Sequence, residues 1–320
     1  MRCSIFSISL IFGALALSPL RAQVMQSMNY DEELRHANSL VAGTTAEDIS
    51  HHVHYDLKLY DQEGHESTAT YDIYRDPLLY QRVEIKAADY NLTQVDYLHD
   101  HKSWLQTSGF KPLKITDFEQ AVDVPQAAIK RFANEGMSDI MQPEELEGAP
   151  LLCANDNDGT AICFNPFIHL FAYAQMFNRT IMYDQWLPIG THSVPGNIRI
   201  FEDKKLLVEA TGTVEAVDKF PPHFMQIPET PSQPDPAKAH KIVSYKPMDI
   251  SQMRYGNIQI HIFVDEQGKV TKAEIVDSDD KHLEGIARKF ARSLVMQPQM
   301  QNGAPVPYDT MIYLEYYPQP

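Results

Sequence analysis

Apolar and polar positions alternate through much of the first part of the chain. Residues 52–60 (HVHYDLKLY), 67–75 (STATYDIYR), 79–86 (LYQRVEIK), 91–98 (NLTQVDYL) and 103–110 (SWLQTSGF) are rich in Tyr, Val, Ile and Thr. A period of two puts alternate side chains on opposite faces, so each segment predicts a half-buried strand. Asp61-Gln62-Glu63-Gly64 and Arg75-Asp76-Pro77 supply turns, and the whole predicts an antiparallel meander. From Asp117 to Met141 the period becomes helical, with Phe118, Val122, Ala128, Ile129, Phe132 and Ile140 on one face and Pro125 as an interruption. Pro166 to Phe177 (PFIHLFAYAQMF) is apolar nearly all round and predicts a buried helix. Strands return at 197–201 and 205–217. The expected fold class is α+β, an antiparallel sheet covered on one side by helices.

Residues 221–236 (PPHFMQIPETPSQPDP) contain six prolines. Such a stretch forms neither helix nor inner strand and predicts an extended linker with a reach of ~50 Å. Beyond it the pattern is more specific. In 257–264 (NIQIHIFV), Ile258, Ile260, Ile262 and Val264 point one way, and Gln259 and His261 the other. Asp265 to Gly268 turns the chain and 269–276 returns. Leu283, Ile286, Ala287, Phe290, Ala291 and Leu294 trace a helical stripe that Asp279 or Asp280 can cap. Pro298 stops the helix, Asn302-Gly303 turns, and 311–317 (MIYLEYY) forms the last strand. The sum is β-β-α-β. The expected organisation is 1–22, an export signal; 23–220, an acidic α+β domain; 221–236, the linker; and 237–320, a second domain.

The chain carries 27 Lys+Arg against 43 Asp+Glu, a net charge of −16. That argues against a nucleic-acid binder, which needs a basic surface. The acid excess lies before residue 237, because 237–320 holds ten basic and ten acidic residues. Arg2, the uncharged run Cys3–Leu20 and the small residue Ala22 read as a secretory signal, which places the protein in the periplasm. Left uncleaved, the run is an inner-membrane anchor facing the periplasm, and only then does the protein touch a membrane. Without the signal two cysteines remain. In an exported chain Cys153 and Cys163, flanking the turn-rich ANDNDGTAI, predict a hairpin closed by a disulfide. Asp156, Asp158 and Gly159 fit part of a calcium loop, but Ala154 and Asn165 occupy two ligand positions, so no calcium site is expected.

The segment GNIQIHIFVDEQGKVTKAEIVDS and the passage LVMQPQMQNGAPVPYDTMIYLEYY resemble the C-terminal domain of TonB, the energy transducer of Gram-negative envelopes, over about residues 240–318. Gly256, Asp265, Gly268, Val270, Pro298, Asn302, Gly303, Pro305 and Val306 carry the resemblance. Val295, Met296 and Gln297 stand where the family has aromatic residues. The apolar N-terminal run has Ser7 and Ser9 but lacks the family's His. The resemblance implies that the final strand lies at a sheet edge and takes an extended peptide from an outer-membrane receptor. Thr310, Met311, Tyr313, Glu315 and Tyr317 are then the docking residues; the alternative is that the acidic domain or a second copy of the chain covers that edge. The Tyr71–Trp104 region loosely resembles the periplasmic lipoprotein-carrier and lipoprotein-sorting family, whose half-barrel holds acyl chains. This makes a lipid or lipoprotein carrier the alternative reading.

No Gly-x-Ser-x-Gly, His-Glu-x-x-His or phosphate-binding Gly-rich loop occurs, so neither an enzyme nor a cofactor is expected. His52/His54 and His99/His101 are i, i+2 pairs, each facing one way on a strand. They would make a four-His metal site only if their strands paired; the reading assigns no metal. An open apolar groove of several hundred Å³ under the first sheet favours carriage, whereas a filled core favours an adaptor.

Overall fold

A computed structural model describes residues 30–41, 49–76, 80–97, 102–135, 141–146, 148–155, 161–176, 178–230, 241–246, 256–279 and 281–316. The export signal, Asp156, Asp158, Gly159, His99, His101, Asp280 and Tyr317 lie outside these residues. The fold is α+β and mostly strand.

Twelve strands form one antiparallel sheet. The first five are β1 (His51–Tyr60), β2 (Glu66–Arg75), β3 (Tyr80–Ala87), β4 (Tyr90–Tyr97) and β5 (Lys102–Gly109). After an interlude come β6 (Gln142–Leu146), β7 (Ala149–Asn155), β8 (Ala161–Phe164), β9 (Phe171–Met176), β10 (Arg179–Ile189), β11 (His192–Glu202) and β12 (Lys205–Ala216). The order is β5-β4-β3-β2-β1-β12-β11-β10-β9-β8-β7-β6. Two meanders therefore join where the last strand closes against the first, His51 opposite Ala216. The five strands read from the first meander coincide with β1–β5, because strict alternation with one buried face fixes their register.

Helix α1 (Tyr30–Leu40) and helix α2 (Leu113–Glu135) pack on one face of this sheet. Phe118 is fully buried, edge-on to Tyr55 at 5.1 Å and to Tyr71 at 5.2 Å. Pro125 does not interrupt α2. A proline at 125 cannot donate to the carbonyl four residues earlier. That carbonyl, on Ala121, accepts instead from the buried Tyr183 hydroxyl at 2.6 Å. The expected helix at Pro166–Phe177 is not formed; a turn at 165–170 leads into β9. Asn165 Oδ1 accepts the Phe167 N–H and His169 turns the chain at φ 57°. An all-round apolar run of this length also suits a strand covered on both faces, and here sheet pairing won. Strands β6 and β10 and helix α1 had no counterpart in the pattern reading.

Cys153 and Cys163 are opposite each other on β7 and β8 and form a buried disulfide. The proline-rich segment is not a free spacer over its first part. Residues 218–230 cross the outer face of the large sheet. Phe224 meets Tyr74 of β2 edge-on at 4.8 Å and lies under the Arg82 guanidinium at 4.4 Å. Trp104 Nε1 of β5 donates to Thr230 O at 2.9 Å. Prolines exclude ladder pairing, but they leave carbonyls and neighbouring rings available for docking.

The C-terminal unit has its own core. Strand β13 (Ile242–Ser244) precedes β14 (Gly256–Val264) and β15 (Val270–Ser278), followed by α3 (Lys281–Ala291). Then come β16 (Val295–Met296), β17 (Gln299–Gln301), β18 (Ala304–Val306) and β19 (Tyr308–Tyr316). The main sheet has the order β15-β14-β19. Ile258, Ile260, Ile262 and Val264 face Leu283, Ala287 and Ala291 of α3, as the two periodicities predict. The turn glycines occupy the left-handed region, Gly268 at φ 82° and Asn302-Gly303 at 53° and 83°. The small antiparallel pairs β13–β16 and β17–β18 are additions to the β-β-α-β plan. No helix among the described residues is long and apolar enough to cross a membrane.

Candidate functional site

The small sheet has two faces. One holds the isoleucines against α3. The other, carrying Gln259, His261, Met311 and Tyr313, is turned onto the corner between β5 and α2 of the large sheet. Gln259 is 1% exposed although its period predicts a solvent or partner face. Its Nε2 donates to Lys111 O at 2.6 Å and to the Tyr313 hydroxyl at 3.0 Å, and Tyr313 Oη donates to the same carbonyl at 3.0 Å. Phe110 lies 5.1 Å from the His261 ring.

A chain of buried charges lies beside this contact. Lys114 of α2 pairs with Asp277 of β15 at 2.7 Å. Arg179 of β10 reaches three carboxylates: Asp117 of α2 at 3.3 Å, Glu202 of β11 at 2.6 Å and Asp279 at 2.5 Å. Asp279 Oδ2 also accepts the Asn257 N–H at 2.9 Å. The residue expected to cap α3 therefore ties β14 to the large sheet. Burial pushes Glu202 up to about 7, against the pull of Arg179, and burial also raises Asp117. The same three carboxylates raise Arg179, overcoming its desolvation. Asp117 Oδ2 and Asp279 Oδ1 are buried without a hydrogen-bond partner among the described residues. Three carboxylates on one guanidinium exceed its charge, and protonation is the cheapest relief.

Two clefts flank the junction. One, of about 500 Å³, has the inner face of β4 and β5 as a wall (Leu92, Gln94, Leu105, Thr107) and the start of α2 as a floor. Three successive residues of β19, Tyr313, Leu314 and Glu315, form its other side. Tyr313 and Glu315 share with Asn257 of β14 the face turned to the large sheet, so the cleft lies between the end of β19 and that sheet. The second, of about 590 Å³, lies across Phe110 and includes Leu59, Ala87, Val276 and Met311. Under the middle of the large sheet, Ile115, Phe118, Ala121 and Val124 of α2 pack into the core.

The docking residues read from the sequence are dispersed by this packing. Thr310 and Met311 are buried, Tyr313 is bonded to Lys111 O, and Glu315 is exposed at the first cleft. Tyr317 lies outside the described residues. β19 does end the sheet order, next to β14 alone. Leu92, Leu105, Phe110 and Lys111 were missed. Their only sequence signal was strand alternation, which says nothing about what a face meets. His52 and His54 share the outer face of β1 with Asp72 of β2. His65 pairs with Asp61 in the β1–β2 turn.

No curated protein sequence matches the chain. Solved structures with a similar course include a DUF1329 family protein from Desulfovibrio piger, with TM-score 0.40 and 9% identity over 61% of this chain and 97% of that one. A LolA superfamily protein from Nitrosomonas europaea gives TM-score 0.39 and 11% identity over 62% and 98%. Residues 243–318, which span β14, β15, α3 and β19, match the family described as Gram-negative bacterial TonB protein C-terminal.

Proposed function

We propose that this is an exported, non-enzymatic envelope protein of the periplasm. Its TonB-like C-terminal unit binds an extended peptide of an envelope partner by strand addition along β19. The supporting observation is the position of β19 at the end of the sheet order with a cleft of about 500 Å³ beside it. A strand laid there pairs its backbone with an edge and presses alternate side chains on Leu92 and Leu105 of the large sheet. The large sheet is then half of the recognition surface, which the family resemblance alone does not imply. The docked linker and the buried Arg179 cluster favour a rigid adaptor over a tether.

The carrier reading keeps one foothold, since the first cleft opens on the inner face of β4 and β5, where an apolar ligand would lie. The filled space under the sheet centre argues against a deep acyl channel.

The test presents full-length mature protein and its Tyr313→Pro variant to outer-membrane extract, with hydrogen exchange on the complex. Strand addition requires capture to fall in the variant and amide protection to rise over 310–316. Equal capture by both proteins, without new protection there, defeats the reading. Release of lipid on denaturing the purified protein would support carriage instead.

A further inference from the structure

We propose that His52, His54 and Asp72, on the outer face of the large sheet, form a binding site for an imidazole-preferring divalent cation, best fitted to Zn²⁺. The site is independent of the β19 cleft.

The geometry starts from strand pairing. His52 and His54 are i, i+2 on β1 and project from the same face, while Asp72 of β2 is the direct cross-strand partner of His54. One carboxylate oxygen, Asp72 Oδ1, lies 2.8 Å from His52 Nε2 and 2.8 Å from His54 Nδ1. Both ring nitrogens therefore aim at one point, from rings inclined at 61°. All three ligand atoms lie within 4.8 Å of one another. Around an ion bound at ~2.0–2.1 Å, tetrahedral ligand atoms stand about 3.3 Å apart. An ion can therefore enter with shifts of around an ångström or less in side chains on a rigid sheet. A fourth position is left for water.

The far nitrogen of each ring also faces a carboxylate. His52 Nδ1 is 3.1 Å from Glu215 Oε1 of β12, and His54 Nε2 is 3.4 Å from Asp56 Oδ1. A carboxylate behind each ligating imidazole fixes its tautomer and orientation, and strengthens it as a donor. Tyr74 lies flat on His52 at 4.2 Å and 8°, and Phe220 and Phe224 of the proline-rich segment stand edge-on to Tyr74. They wall the site on one side. Asp72 is nearly buried, whereas His54 keeps 33% of its side chain exposed, which provides a route in. Nitrogen with one carboxylate suits zinc over calcium or magnesium, which take oxygen ligands.

The four-His site considered from sequence needed His99 and His101, which lie outside the described residues. A carboxylate on the adjacent strand does the joining instead. The cluster Glu33, His36 and His169 is a weaker candidate. There His36 is exposed, and its ring stacks on His169 at 4.3 Å and 28°.

The experiment is Zn²⁺ titration of untagged, full-length mature protein after chelator dialysis, by calorimetry, with Co²⁺ absorption as a report of ligand geometry. The expected result is one saturable equivalent and a Co²⁺ spectrum of tetrahedral intensity. His54→Gln and Asp72→Asn lower the affinity by at least a hundred-fold, and Glu215→Gln by ten-fold or more. His36→Gln and His65→Gln leave the affinity unchanged. Metal-free melting curves of each variant check that the sheet is intact. No saturable binding by the parent protein overturns the proposal. So does binding that survives His54→Gln and Asp72→Asn, or that is lost in His36→Gln.

Discussion

Arg179→Met removes the one cation on which Asp117, Glu202 and Asp279 converge, while keeping a side chain of similar length. The guanidinium and the Asp117 and Asp279 carboxylates are each less than a tenth exposed. Deleting one partner of a buried ion pair costs about 3–5 kcal/mol, because the remaining charge is desolvated and uncompensated. Here two buried carboxylates lose a partner, so the upper part of that range applies at pH 8. At ~1.5–2 °C per kcal/mol for a chain of about 300 residues, the melting temperature falls by roughly 6–10 °C. The loss is pH-dependent, with a definite sign. Glu202 is held at about 7 in the folded state, above its ordinary value of 4.5, mainly by burial. A raised carboxylate favours the folded state most below its unfolded value, and that contribution is lost as pH rises through about 7. Removing Arg179 raises Asp117 and Glu202 further, so each takes up a proton more readily as pH falls. The variant's deficit at pH 5.5 is therefore about half that at pH 8, measured by calorimetry or circular dichroism. Adding Asp279→Asn to Arg179→Met restores part of the loss at pH 8, a coupling that a double-mutant cycle reads directly. A deficit under 2 °C, or one of equal size at both pH values, refutes the account of Arg179 as the charge that pins the small sheet to the large one.

The disulfide closes a loop of sequence separation 10, so its reduction lowers unfolding free energy by roughly 3 kcal/mol. Urea midpoints with and without reductant measure it, and coincident curves contradict it. Gly268→Ala forces a Cβ to within 2.1 Å of the Met296 carbonyl at φ 82°, whereas Gly64→Ala meets the same strain at φ 86° with nothing within 4 Å. The first variant loses well over ~1 kcal/mol and the second about 1; equal melting temperatures would show that the Met296 contact relaxes freely.

The meander β1–β5 and the unit β14-β15-α3-β19 were legible because each has one wet and one dry face. Val53, Tyr55, Leu57 and Leu59, or Ile258, Ile260 and Ile262, leave no second register. The region 166–176 was misread because an all-apolar run has no period to read, and only pairing with β8 and β10 selected strand. Pro125 was read as a break because the Tyr183 hydroxyl that satisfies Ala121 O arrives from a strand 62 residues away.

The candidate site was less legible. Met311, Tyr313 and Glu315 lie on the strand that ends the sheet order, but which groups face them depends on how the two sheets dock. The sequence by itself determined the strands and their inner faces, the cysteine pair, the tight turns at Gly268 and Asn302-Gly303, and the TonB-like plan. Those follow from local sterics and from the period of burial, which act over a few residues. Only the tertiary structure decided that Gln259 is buried on Lys111 O, that Asp279 answers Arg179 rather than capping a helix, and that Asp72 comes between His52 and His54. Polar side chains carry no pattern that names a distant partner; their partners are set by the packing of surfaces formed from segments up to hundreds of residues apart.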